Sequence, residues 1–158
     1  MSFALLAASA AHFEQLCAGL APEPGIELPS TPLAQDGVLP MLAGLAAGIR
    51  GAFDPCAWLV LDGKRLVGLI SLTAAPTIGT ITIGYGIAPS EQGRGAATGA
   101  VAALLDWARS DERVWRIEAE TGTANVPSQR VLERNGFAQV GERTVAEDGA
   151  LFCWRIAW

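Results

Sequence analysis

The sequence predicts a single α+β domain over residues 1–158, built around a mixed sheet. Apolar and small residues alternate in residues 80–87, which is typical of a strand with one buried face. Further along, Val101, Leu104, Leu105 and Ala108 recur at helical spacing, so an amphipathic helix follows that strand. The chain has 158 residues and is 51% hydrophobic, which is enough to bury a core of its own.

Local signals predict the other elements and their order. Asp62-Gly63 is a hairpin turn between two apolar runs, and Asn135-Gly136 is a strong helix stop. The predicted strands are residues 3–6, 56–61, 65–73, 80–87, 115–121, 139–145 and 151–157, and the predicted helices are residues 9–18, 39–49, 96–109 and 127–134. The resulting order is β-α-α-β-β-β-α-β-α-β-β, with no internal repeat and no linker long enough to divide the chain.

Composition narrows the classes of function. The net charge of −5 argues against a nucleic-acid binder, which needs a basic surface for phosphates. An acidic chain suits a cationic substrate such as an amine, or it serves solubility alone. The N-terminus lacks the basic region of a signal peptide, and the apolar residues 39–49 are too few to span a bilayer. We therefore expect a cytoplasmic protein that binds neither nucleic acid nor membrane.

The cysteines do not predict a metal site. Cys17, Cys56 and Cys153 lie far apart, no CxxC motif occurs, and the chain has one histidine. A Cys/His zinc site needs a denser set of ligands, so we expect no metal and interpret all three cysteines as small core residues.

The segment between the predicted fourth strand and third helix has the features of an anion site. Gly93 and Gly95 allow the backbone to approach a phosphate closely, and Arg94 adds a cation that forks onto phosphate oxygens. A helix N-terminus supplies unpaired N–H groups and a positive dipole end. The spacing excludes a P-loop and does not fit a dinucleotide fingerprint. The alternative interpretation is a tight strand-to-helix turn with no ligand. We expect Glu91, beside the turn, to face solvent.

The same segment carries a family resemblance. Residues 92–97, Gln-Gly-Arg-Gly-Ala-Ala, match the [QR]-x-x-G-x-[GA] motif of the GNAT acetyltransferase superfamily. Residues 125–137, NVPSQRVLERNGF, resemble the N-x-x-S-x-x-V-L-E-x-x-G-F block of the branch that includes the ribosomal-protein N-terminal acetyltransferases (Rim-type). Residues 84–98, GYGIAPSEQGRGAAT, resemble that branch as well. Both blocks occur in the family's order and spacing, whereas the first 50 residues match only in their pattern of elements.

The resemblance implies a fold and a co-substrate. The sheet would be mostly antiparallel, with six to seven strands and about four helices, and would splay between strands 4 and 5. Acetyl-CoA would lie with its pyrophosphate on the turn and its pantetheine along the fourth strand. The residues implied in cofactor binding are Ile87, Ala88, Gln92, Gly93, Arg94, Gly95, Ala96, Ala97, Thr98, Asn125 and Ser128.

The acid and base of the reaction are less clearly marked. The family often carries a glutamate where this chain has Thr82, and many members carry a general-acid tyrosine where it has Leu132. Ser128 is the remaining candidate proton donor or thiolate partner. Glu118 and Glu120 share one face of the fifth strand, and either one acts through water as base or belongs to a paired carboxylate face. Tyr85, the only tyrosine, packs in the core or contributes to the site.

These observations lead to an expected activity and its alternatives. The resemblance implies an N-acetyltransferase that acts directly on a primary amine, with a slight preference for a protein N-terminal α-amine over a small molecule. A non-catalytic acyl-CoA-binding sensor or subunit is the alternative, because the usual acid and base are absent. The hydrophobic last strand, residues 151–158, predicts edge pairing between two copies and so a possible homodimer.

Overall fold

The computed structural model describes residues 2–158, which form one seven-stranded sheet and four α-helices. The elements in chain order are β1 (Ala4–Ala7), α1 (Ala10–Cys17), α2 (Val38–Ile49), β2 (Ala57–Asp62), β3 (Arg65–Leu72), β4 (Gly79–Ile87), α3 (Ala96–Ser110), β5 (Val114–Gly122), α4 (Val126–Arg134), β6 (Ala138–Val145) and β7 (Gly149–Ala157). This is the predicted order, and a 3₁₀ turn at Pro89–Glu91 joins β4 to α3.

The sheet has the strand order β1-β2-β3-β4-β5-β7-β6 and is antiparallel except between β4 and β5. Those two strands are parallel because α3 crosses over between them. Their register begins with Gly79 opposite Val114 and ends with Ile83 opposite Ala119. Beyond that point residues 84–87 pair with β3 and residues 120–122 pair with β7. The predicted splay between strands 4 and 5 is therefore confirmed.

Helices cover both faces of the central strands. Consecutive residues of β3 from Leu66 to Leu72 are buried, and a strand whose neighbouring side chains are all buried must be covered on both sides. Helices α1 and α2 pack together, and so do α3 and α4. The apolar stripe predicted for α3 is buried, with Val101, Leu104 and Ala108 fully inaccessible. This packing fixes the N-terminal end of α3 beside the end of β4.

The edge of the sheet differs from the prediction. The last strand, β7, lies between β5 and β6 rather than at the edge. The edge strand on this side of the sheet is β6, which is almost entirely exposed and carries four polar residues beside the exposed Val140. The prediction of edge pairing through residues 151–158 was wrong, because the apolar character of β7 reflects its interior position. The structure therefore removes the argument for a homodimer through that strand.

The expected burial of the cysteines is also only partly confirmed. Cys56 is buried, Cys153 is partly exposed on β7, and Cys17, the last residue of α1, is exposed. None of the helices formed by residues 2–158 has the length and apolar character needed to cross a membrane.

We expect one glycine of β3 to be essential for the position of β4. A Cβ atom added to Gly68 would lie 2.4 Å from the carbonyl oxygen of Gly86 and 2.6 Å from Cδ1 of Ile87. Gly68→Ala should therefore lower the free energy of unfolding by about 1–3 kcal/mol, because backbone must shift. As a control, Gly48→Ala adds a methyl group in open space on α2 and should raise stability by about 0.5–1 kcal/mol. Urea unfolding of both variants checks this, and equal midpoints would contradict it.

Candidate functional site

A groove of about 780 Å³ opens where β4 and β5 diverge, within the size range of small-molecule sites. Its walls are the end of β4, the turn at residues 92–98 (the glycine turn) and α4. The lining residues are Tyr85, Gly86, Ile87, Gln92, Gly93, Gly95, Ala96, Ala97, Thr98, Asn125, Val126, Pro127, Ser128, Arg130, Val131 and Arg134. The structure thus brings nine of the cofactor residues implied by the sequence to one groove, leaving out Ala88 and Arg94.

The glycine turn presents backbone donors to this groove. Gly93 and Gly95 have φ angles of +82° and +79°, which side-chain-bearing residues rarely adopt. Gly95 is the N-cap of α3, and Ala96, Ala97 and Thr98 form its first turn. The N–H groups of a first helical turn have no acceptor inside the helix, and they lie at the positive end of its dipole. The wall of the groove is therefore suited to an anionic ligand.

Two neighbouring residues hold the glycine turn in place. The Gln92 side-chain amide donates to the Ile87 carbonyl at 3.0 Å, so it closes the turn on the end of β4. Ala88 is fully buried, and its N–H donates to the Val67 carbonyl at 2.9 Å. The Ala88 amide is thus committed to the sheet, and a ligand-polarising role is not open to it in this arrangement.

Arg94 extends away from the groove into a cluster of charged residues. Its guanidinium donates to Glu91 and, at 3.2 Å, to Asp62. Arg65 completes the cluster, with its Nε 2.5 Å from a Glu91 oxygen. The expectation that Arg94 forks onto phosphate oxygens stays a prediction; in this structure its side chain ties the glycine turn to the β2–β3 hairpin.

The expectation that Glu91 faces solvent was wrong. Glu91 is only 5% exposed, because Arg65 and Arg94 supply the positive charge that compensates for its burial. Glu91 nevertheless does not line the groove, so its carboxylate is kept away from the predicted phosphate position. Sequence reasoning did not identify the two arginines that attract the carboxylate inward.

The arginines that do line the groove come from α4. Arg130 and Arg134 are four residues apart, so they lie on one face of the helix, and both side chains are exposed. Sequence reasoning missed them because it concentrated on Asn125 and Ser128 of the same block. The i, i+4 spacing of two arginines on a short helix was the available signal.

The other wall holds a pair of hydroxyl groups. Asn125 is the N-cap of α4, and its Oδ1 accepts a hydrogen bond of 3.2 Å from the Ser128 N–H. The Tyr85 hydroxyl lies 2.9 Å from Ser128 Oγ and donates to the Ser128 carbonyl at 3.1 Å. Burial raises the pKa of the Tyr85 phenol, which keeps it protonated at neutral pH. The structure thus joins two of the predicted catalytic residues.

The third predicted catalytic residue lies elsewhere. Glu120 lies on β5 and does not line the groove. Its carboxylate accepts hydrogen bonds from Arg143, one of them at 2.8 Å. The Arg143 hydrogen bond holds the pKa of the Glu120 carboxyl below its usual range, which makes it a weaker base. Glu118 forms a similar pair with Arg155. The base role stays a prediction, and the paired-carboxylate interpretation describes what is observed.

Two further observations limit the chemistry. Leu132, at the position of the family's tyrosine, is fully buried in the core and offers no acid. Among residues 2–158, no group of three or more His, Cys, Asp or Glu side chains is arranged to hold a metal ion. The polar groups that line the groove are therefore backbone N–H groups, two arginines, the Tyr85–Ser128 pair and the side chains of Gln92, Thr98 and Asn125.

Comparison with protein families and curated proteins gives consistent matches. Residues 4–138 match the model of the acetyltransferase (GNAT) domain family. A protein described as the probable N-acetyltransferase YjcK of Bacillus subtilis (strain 168) is 37% identical over 79 residues, 49% of this chain and 44% of that protein. The aligned part of the chain thus spans less than half the length of this relative.

Solved structures share the fold over the whole chain. An acetyltransferase from Salmonella typhimurium that modifies the N-terminal serine of ribosomal protein L7/L12 has a TM-score of 0.72 at 18% identity, covering 100% of this chain and 96% of that one. The microcin C7 self-immunity acetyltransferase MccE, in complex with acetyl-CoA and AMP, has a TM-score of 0.71 at 16% identity, covering 99% and 93%.

The charged cluster around Glu91 should contribute to stability. Glu91→Gln leaves Arg65 and Arg94 with Asp62 as their shared counter-charge and removes the buried one, and we expect a loss of about 1–3 kcal/mol in the free energy of unfolding. The figure allows for the exposure of the two arginine side chains, 39% and 31%. Glu14→Gln, on the exposed side of α1, is the matched control and should change stability little. Unfolding both in urea tests this, and a Glu91→Gln midpoint equal to that of Glu14→Gln would refute it.

Proposed function

Because this chain belongs to the GNAT acetyltransferase family, we propose that it transfers the acetyl group of acetyl-CoA directly to a primary amine. The observation that carries the proposal is the convergence of three features on one groove. These are the N-terminus of α3, the end of β4 beyond its pairing with β5, and Ser128 at the start of α4.

The groove offers each part of acetyl-CoA a matching surface. The pyrophosphate would accept hydrogen bonds from the backbone N–H groups of Gly95–Thr98. Arg130 and Arg134 would supply the positive charge that Arg94, held by Glu91, does not deliver to the groove. The backbone of residues 84–87, turned away from β5, would pair with the pantetheine amides as an added strand.

The chain's own residues have defined tasks in this chemistry. A direct transfer needs a polarised carbonyl, an unprotonated amine and a group that stabilises the departing sulfur. Backbone N–H groups near Gly86 and Ile87 would polarise the carbonyl. Ser128 would hydrogen-bond the sulfur. Glu120 is retained as a base acting through water, on the face of the sheet from which the acceptor would enter.

For the acceptor we propose a protein N-terminal α-amine. The support is the full-length likeness to the Salmonella acetyltransferase, which modifies an N-terminal serine, together with residues 125–137 of this chain. Helix α2, which packs against α1 and β3 and exposes Met41, would cover the acceptor. A small amine is the other acceptor to be compared, since an aminoglycoside acetyltransferase solved in complex with coenzyme A has the same fold, with a TM-score of 0.70 at 16% identity.

A second candidate function is a non-catalytic acyl-CoA-binding sensor or subunit. It is favoured by the burial of Leu132 at the position of the usual acid and by the pairing of Glu120 with Arg143. The groove would serve both functions equally. Turnover separates them, because only the enzyme releases free CoA.

The arginines of α4 provide a test of the cofactor site. Arg130→Glu and Arg134→Glu should each weaken CoA binding roughly tenfold at low ionic strength, because each reverses a charge beside an anionic ligand. Lys64→Glu makes the same charge change at the β2–β3 turn, outside the groove, and should leave the affinity unchanged. Isothermal titration calorimetry measures all three. Equal weakening by Lys64→Glu would mean that only the overall charge matters, which would contradict the site.

The acceptor is identified by release of free thiol from acetyl-CoA. A panel of peptides with a free N-terminus should give turnover, and the same peptides with a blocked N-terminus and an internal lysine should not. Small amines complete the panel. Turnover with small amines alone would overturn the proposed acceptor, and binding of acetyl-CoA without any turnover would support the non-catalytic module.

A further inference from the structure

The hydroxyl pair of the groove has only two protons to distribute among three oxygen atoms. The Ser128 carbonyl only accepts hydrogen bonds, so the Tyr85 hydroxyl is the donor in their 3.1 Å contact. A phenol has one proton, and the Ser128 hydroxyl must therefore donate in the 2.9 Å contact with Tyr85. In this arrangement the Ser128 proton points towards Tyr85 and away from the groove.

A second arrangement needs only the rotation of two O–H bonds. If Ser128 turns its proton to a ligand in the groove, Tyr85 can turn its own proton to Ser128 Oγ, with the oxygen atoms unmoved at 2.9 Å. Donation by Tyr85 makes the Ser128 hydroxyl a stronger donor, because neighbouring hydrogen bonds polarise each other. The Ser128 carbonyl can still accept a bond within α4, so it is not left unpaired.

We propose that Tyr85 is a positioning residue for the transfer reaction. By turning its O–H from the Ser128 carbonyl to Ser128 Oγ, it strengthens the hydrogen bond from Ser128 to the departing sulfur. The inference rests on the proposed function, since it takes Ser128 as the residue that meets the sulfur. Tyr85 lines the groove beside Ser128, and the chain has no other tyrosine to take this place.

Ser128 stabilises the sulfur by a hydrogen bond and keeps its own proton. A thiol is a stronger acid than an aliphatic hydroxyl, so a full transfer from Ser128 would be uphill. The amine nitrogen forms the new C–N bond to the acetyl carbon as the C–S bond breaks, and the electron pair of the C–S bond stays on sulfur. The Ser128 O–H, polarised by that of Tyr85, stabilises this charge. Solvent then supplies the proton of the free thiol, and the proton lost by the amine returns to solvent. Burial keeps the Tyr85 phenol protonated, so it remains a donor throughout.

The pKa of the thiol of bound CoA reports this hydrogen bond without any acceptor. It is measured from thiolate absorbance against pH, with the titration of the desulfo-CoA complex subtracted to remove the protein's own thiols and phenol. We expect a value about one unit below that of free CoA in the native protein, as hydrogen bonds to a charged group predict. Tyr85→Phe and Ser128→Ala should each move it back towards free CoA. Turnover of Tyr85→Phe should fall roughly tenfold in kcat, with little change in the KM for acetyl-CoA.

The double variant separates positioning from packing. Ser128→Ala keeps the backbone carbonyl to which Tyr85 also donates, so any role of Tyr85 in fastening α4 survives in it. Adding Tyr85→Phe to Ser128→Ala should therefore change neither the thiol pKa nor kcat further. Thr121→Val removes a buried hydroxyl that binds the Trp154 indole outside the groove, and it should leave the thiol pKa at the native value.

Each other outcome overturns the inference. An unchanged thiol pKa in Tyr85→Phe, or in Ser128→Ala alone, would mean that the pair does not reach the sulfur. An equal effect of Tyr85→Phe with and without Ser128 Oγ would assign Tyr85 a packing role. Failure of the native protein to bind CoA would overturn the proposed function as well, whereas binding with no effect of these variants would overturn this inference alone.

Discussion

The end of the parallel pairing at Ile83 and Ala119 is the constraint on which the site depends. As long as β4 and β5 stay paired, their backbone groups satisfy each other and leave no space between them. Beyond that point each strand keeps its outer partner, β3 or β7, so the sheet remains intact while a groove opens inside it. The crossover helix α3 begins at this opening, and α4 closes the far side. The N-terminal end of α3 and Ser128 therefore line one space.

The charged groups of this region form two sets: one holds the glycine turn in place, and the other lines the groove. Glu91 and Asp62 hold Arg65 and Arg94, which fixes the glycine turn to the hairpin. The positive charge left for a ligand comes from the helix end and from α4. A chain with a net charge of −5 thus has two arginines and a helix N-terminus at one groove, which is what the proposed anionic ligand requires. The contacts of Gln92 and Arg94 hold the turn against the end of β4 and the β2–β3 hairpin.

The element order and the glycine turn could be predicted because local rules determine them, whereas the splay was predicted from the family resemblance. Alternating and helical periodicities define the strands and helices, and Gly93 and Gly95 occupy backbone conformations that only glycine adopts readily. The fate of charged side chains could not be predicted this way. The orientations of the Glu91 and Arg94 side chains depend on ion pairs with Arg65 and Asp62, which lie about 30 residues away in sequence. The orientation of Glu120 depends on its ion pair with Arg143 on the edge strand. The interior place of β7 likewise depends on the path of β6.

The most direct test of the account is an amide NMR titration of the protein with CoA. If the groove is the cofactor site, the largest shifts should occur at Gly93 and Gly95–Thr98, from the pyrophosphate, and at Gly86 and Ile87, from the pantetheine. Amides of β6, which contributes no residue to the lining of the groove, should not move. Saturable shifts confined to other residues, or no shifts at millimolar CoA, would contradict the assignment of this groove to acetyl-CoA.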